Sequence, residues 1–119
     1  MKKMKLPNAV YIGHVAVFYI PETKLDLVLE DGRTARSILH DFCVENYNAY
    51  THEVSKIQGY WVNKDILVKD QHERFEISFE GKEKVKKFVA FLSELCKMIQ
   101  EESIYLTMGY KSWLIVPSK

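Results

Sequence analysis

Four histidines (His14, His40, His52, His72) and two cysteines (Cys43, Cys96) are the residues of this chain best suited to hold a metal or carry a proton. Their spacing argues against a metal site. His40 and Cys43 are three apart on a predicted helix, but Cys43 belongs to its apolar stripe, and neither HxxxH nor CxxC occurs. A packed cysteine beside a surface histidine accounts for the pair, and no metal is expected. Ser37, His40 and Cys43 succeed one another at three-residue steps, yet no nucleophile elbow surrounds them. The glycines Gly13, Gly32, Gly59, Gly81 and Gly109 are dispersed as turn punctuation, so no phosphate-cradling loop and no cofactor is expected. His52 precedes Glu53 and His72 precedes Glu73, which offers an acid-base pair to a small hydrolase or nuclease. Adjacent strand residues point to opposite faces, so such a pair needs loop geometry to cooperate.

The densest polar-aromatic stretch is NYNAYTHE over 46–53, followed closely by Gln58-Gly-Tyr-Trp61. Its donors, acceptors, stacking faces and histidine are what a small-molecule pocket collects. Tyr47, Tyr50, His52, Trp61 and Arg74 are the candidate ligand contacts. The competing reading makes Tyr47, Tyr50 and Trp61 core aromatics with a polar tip at the surface. A sheet face bearing Tyr60, Tyr105 and Arg74 would also suit stacked bases, but the RNA-recognition signature is missing and the strands carry no basic excess.

The elements that position these residues follow from periodicity. VYIGHVAVFYI over 10–20 reads as a strand bent at Gly13 and closed by Pro21, and its apolar residues at both parities predict a central strand covered on both faces. Leu25, Leu27 and Leu29 suggest a short extra strand or extended loop. Ala35, Ile38, Leu39, Phe42, Cys43 and Tyr47 form a helical stripe after the cap candidates Asp31 and Thr34. A hairpin follows over Ser55–Val62 and from Asp65 onward, turning at Asn63-Lys64, with its second arm interrupted near 70–72. Phe75, Ile77 and Phe79 alternate with polar residues as a strand. Val85, Phe88, Val89, Leu92, Leu95, Cys96 and Ile99 make a second helix after Gly81, and 104–116 closes as a strand or a hairpin near Gly109. This order predicts an α+β domain over 1–119 with a ferredoxin-like βαββαβ arrangement, two helices on one face of an antiparallel sheet, plus an extra short strand or terminal hairpin. The uncovered face would show Arg74, Glu76, Ser78, Tyr105 and Thr107, with Gln58 and Tyr60 if their strand keeps register.

Composition supports a folded chain: 119 residues, 47% hydrophobic, 28% charged. A net charge of +1 leaves no overall field to hold a polyanion, which disfavours nucleic acid as a partner. Charge is unevenly placed, with seven acids against three bases over 22–53 and five bases against two acids over 82–97. Unpaired, apolar-patterned cysteines and the lack of a leader-like or membrane-length apolar run predict a cytoplasmic protein with no membrane partner. The doubly apolar first strand predicts a homo-oligomer.

Thr51, Gly59, Trp61, Gln100, Glu101 and Ile104 carry a pattern that resembles a family of small uncharacterised bacterial and phage-borne proteins. There, a Thr near the end of the first helix is followed by a strand ending Gly-x-Trp, a charged hairpin, a second helix and a Gln-Glu approach to the last strand. The resemblance spans Thr51 to Ile104 and implies the ferredoxin-like arrangement without an activity. Together these readings predict a non-enzymatic binding module that recognises a small polar, nucleotide-like ligand or a protein partner, as a phage or mobile-element accessory protein. The alternatives are the His/Glu hydrolase or nuclease and single-stranded nucleic-acid binding through the sheet face.

Overall fold

The computed structural model describes residues 5–119. Its elements are β1 (His14–Pro21), α1 (Glu22–Leu25), α2 (Ala35–Tyr47), β2 (Thr51–Asn63), β3 (Ile66–Phe79), α3 (Lys82–Met98), β4 (Ile104–Met108) and β5 (Lys111–Ile115). The class is α+β. All strands pair antiparallel in the order β2-β3-β1-β4-β5, so β1 lies at the centre between β3 and β4. Among the described residues, no helix is long and apolar enough to cross a membrane.

Alternation along β1 and β3 sorts side chains onto two faces. Ala16, Phe18 and Ile20 of β1 and Phe75, Ile77 and Phe79 of β3 are buried, and α2 and α3 lay Leu39, Cys43, Phe88, Leu92 and Leu95 over them. Phe18 sits in the middle, with Phe75 and Phe88 each 5.3 Å away between ring centroids. The expected double cover of β1 is only half present within one chain. Its other parity, Val15, Val17 and Tyr19, is exposed or half-buried, because both long helices pack on the same side.

Helix α2 starts where its cap chemistry dictates: the Thr34 hydroxyl accepts a hydrogen bond from the Ser37 amide at 3.1 Å. Thr34→Ala should cost about 1 kcal/mol, read as a lowered urea midpoint with unchanged slope. The helix ends at Asn48, whose φ of 67° is the left-handed conformation that asparagine tolerates.

Several expectations need correction. Leu25 lies in the single turn α1, and the anticipated extra strand shrinks to one bridge between Val28 and Thr34. The first strand begins at His14, because residues 10–13 approach it through the bend at Gly13, whose φ is +112°. The hairpin turns at Lys64-Asp65, with φ of 49° and 68°, one residue later than expected; aspartate enters the left-handed region as asparagine does. Strand β3 runs unbroken through 70–72, and the irregularity lies opposite, between Glu53 and Ile57 of β2. The closing segment is a hairpin through Gly109. Register pairs Ile57 with His72, Gly59 with Asp70 and Trp61 with Val68, so these residues, rather than Gln58 and Tyr60, share the face of Arg74 and Glu76.

Candidate functional site

The face that the long helices leave open carries the larger cavity, about 700 Å3, between the β2/β3 arm, the end of β1 and the segment 101–103 before β4. Tyr19, Trp61 and Tyr105 supply aromatic walls, and His72, Asp70 and Glu101 supply polar ones. Each arrives from a different constraint. Tyr19 and Tyr105 are direct partners across β1 and β4, and their rings lie 5.9 Å apart. Trp61 is fixed by its indole N–H, which donates to Asp70 Oδ2 at 3.1 Å. Glu101 stands just past α3, where Lys24 binds the Ile99 carbonyl at 2.8 Å and comes within 4.0 Å of the Glu101 carboxylate. Burial pushes the Glu101 carboxyl above the ordinary range, Lys24 pulls it back, and the charge of Asp70 pushes it up again. The volume falls within the roughly 300–1,000 Å3 typical of small-ligand sites.

A second polar constellation occupies the opposite face. Glu73, which is buried, accepts a bidentate pair from Arg36 (Nη1 to Oε1 2.8 Å, Nη2 to Oε2 2.9 Å) and a bond from His52 Nε2 at 2.5 Å. Arg36 also binds Asp26 through Nε and Nη2 at 3.0 and 3.2 Å. The Arg36 guanidinium holds the Glu73 carboxyl below its ordinary range, against burial, with His52 adding to the lowering. His52 stacks flat on Phe75 at 4.7 Å. His52 and Glu73 do meet, as the acid-base alternative requires, but across strands rather than as sequence neighbours. Glu73 is an ion-pair partner already engaged on both oxygens, which suits a structural clamp better than a proton acceptor.

The five residues singled out from sequence fall in separate places. Trp61 lines the larger cavity. Tyr47 and Tyr50 line a smaller one of about 540 Å3 at the C-terminal end of α2. The Tyr47 hydroxyl donates to the Lys84 carbonyl at 3.1 Å, and burial pushes it up to about 12. Tyr50 bonds His40 at 2.8 Å. His52 belongs to the Glu73 clamp, while Arg74 lies on the open face and is engaged by Glu76 at 3.0 Å. Tyr19, Asp70 and Glu102 of the larger cavity carry no motif in the sequence, because they lie in an apolar strand, a polar arm and a loop whose convergence depends on strand order. Glu101 carried a signal in the Gln-Glu pattern, and Tyr105 in the alternation of the last strand. Among the described residues, no group of three His, Cys, Asp or Glu could hold a metal ion. Burial pushes the Cys43 thiol up to about 12, which leaves it unreactive.

No protein-family profile and no curated protein matches the sequence. Two solved structures do match the fold. A phage SAM lyase in complex with S-methyl-5'-thioadenosine superposes with a TM-score of 0.58 at 14% identity, covering 94% of this chain and 96% of that one. A phage SAM lyase in its apo state gives the same TM-score and identity over 99% and 98% of the two chains. At that identity the likeness is one of fold.

Proposed function

We propose that this chain is a phage-type accessory protein that binds a small adenosine-containing ligand in the cavity on its open sheet face. The observation that carries the reading is the convergence of Tyr19, Trp61 and Tyr105 with the carboxylates of Asp70 and Glu101 around one space. Flat rings suit a purine base, and carboxylates suit ribose hydroxyls. The fold shared with a SAM lyase that holds S-methyl-5'-thioadenosine supports the same ligand class. Strand order β2-β3-β1-β4, with helices between β1 and β2 and between β3 and β4, supports a ferredoxin-like arrangement to which β5 is appended.

The working unit in this reading is a homo-oligomer. Val15 and Val17 of the central strand, beside the cavity walls Tyr19, Tyr105 and Leu114, leave an apolar strip that a second copy would cover. Native mass spectrometry reads this directly, and a monomer at micromolar concentration would reject it.

Calorimetry with S-methyl-5'-thioadenosine tests the ligand. Trp61→Ala should weaken binding by roughly tenfold to a hundredfold, the ~1–3 kcal/mol that a base stacked on an aromatic ring contributes. Unchanged affinity in that variant would place the ligand elsewhere.

A second reading, cleavage of SAM itself, is favoured by the acidic wall of Asp70, Glu101 and Glu102 next to aromatic rings, a combination that attracts a sulfonium cation. Incubation with SAM and chromatography for released S-methyl-5'-thioadenosine distinguishes turnover from binding alone.

A further inference from the structure

His72 lies on the same face as Trp61 at the floor of the larger cavity, and its Nδ1 is buried without a hydrogen-bond partner. Such an atom is uncommon, and its tautomer follows from what burial tolerates. A buried N–H without an acceptor is rarer than an under-satisfied acceptor, which puts the proton of the neutral ring on Nε2. The ring also occupies space that a side chain at position 59 would need. A Cβ on Gly59 would come within 3.0 Å of both Cδ2 and Nε2. Because Ile57 pairs with His72 and Gly59 with Asp70, the ring leans along β2 toward Trp61, with its Nε2 edge over Gly59.

We propose that His72 is the hydrogen-bond donor of the cavity floor, its Nε2–H meeting an acceptor of an adenosine-type ligand, a purine ring nitrogen or a ribose oxygen. The inference rests on the ligand reading above. The titratable groups around the cavity are Asp70 from β3, Glu101 and Glu102 from the segment before β4, and Tyr19 and Tyr105 from β1 and β4. Burial lowers the affinity of His72 for a second proton, opposed by the charge of Asp70, so the neutral donor form persists below the ordinary histidine range.

The test is calorimetry with S-methyl-5'-thioadenosine on the whole chain and on three variants. His72→Phe keeps a flat ring without a donor and should bind roughly tenfold more weakly, the order expected for one lost hydrogen bond. His72→Gln keeps an N–H donor and should fall between it and the parent. Gly59→Ala should weaken binding several-fold by displacing the ring. In the unaltered protein, saturating ligand should shift the His72 Nε2 signal in long-range 1H–15N spectra while the ring stays neutral. Parent-like affinity in folded His72→Phe, or ring signals unmoved while binding heat is observed, would overturn the role of His72 and leave the cavity reading standing. Absence of binding heat in the unaltered protein would overturn both.

Discussion

Arg36→Ala should destabilise the chain by about 3 kcal/mol, the lower end of the ~3–5 kcal/mol seen when one partner of a buried ion pair is removed. The lower end applies because Arg36 itself keeps about a third of its side chain in solvent, at 34% exposure, while Glu73 keeps 9%. Without the guanidinium, a buried carboxylate retains only the bond from His52, and α2 loses its tie to β3. Urea denaturation at neutral pH reads the loss. The acid limb of the stability curve carries a second signature. The folded carboxyl of Glu73 sits below its unfolded value, so the native state binds that proton less readily than the unfolded chain. Its stabilisation is therefore complete above the unfolded glutamate range near ~4.3 and is lost as pH falls from there through the lower folded value. Arg36→Ala should flatten that part of the curve. A variant as stable as its parent, with the same acid limb, would mean that the clamp contributes nothing in solution.

Phe18→Ala should cost about 4 kcal/mol, within the ~3–5 kcal/mol range for deleting a buried phenylalanine. Phe18 has no solvent exposure, lies on the central strand and touches rings from β3 and α3, so the neighbours that could collapse into the void are themselves held by the sheet and the long helix. For a domain whose whole stability is about 5–15 kcal/mol, such a loss brings unfolding close to ambient conditions. Its neighbour Val17 provides the contrast. Val17 points to the open face, and in a lone chain Val17→Ala should cost only about 1 kcal/mol. A larger loss that depends on protein concentration would show that a second copy covers that face.

The helices and the core strand were legible because their signals are local. The stripe from Val85 to Ile99 repeats at the helical period and is buried where it predicts, at Phe88, Leu92, Leu95, Cys96 and Ile99. Thr34 caps α2 as its type and place imply. Phe75, Ile77 and Phe79 alternate into the core because a strand turns successive side chains to opposite faces. Even the bend at Gly13 could be read, since an added Cβ there would lie 2.0 Å from the Phe79 carbonyl oxygen and the backbone holds a φ that only glycine adopts freely.

The candidate site was not legible in the same way. Polar aromatic residues are densest over 46–53, yet the left-handed turn at Asn48 and the alternation of β2 from Thr51 onward divide that segment between the smaller cavity and the Glu73 clamp. Pairing across the two-residue turn decides that Trp61 rather than Tyr60 shares a face with Asp70 and His72: Trp61 stands opposite Val68, and alternate residues of a strand point to the same side.

The sequence alone determined which residues pack and which helices form, since period, capping and apolar content act over a few neighbouring residues. Which polar residues stand together was decided by strand order and register. Placing β1 between β3 and β4 brings Tyr19 beside Tyr105 and opposite His72's strand, and pairing β2 with β3 sets His52 against Glu73. Those pairings join parts of the chain far apart in sequence through backbone hydrogen bonds that any residue types could make, so no local pattern records them.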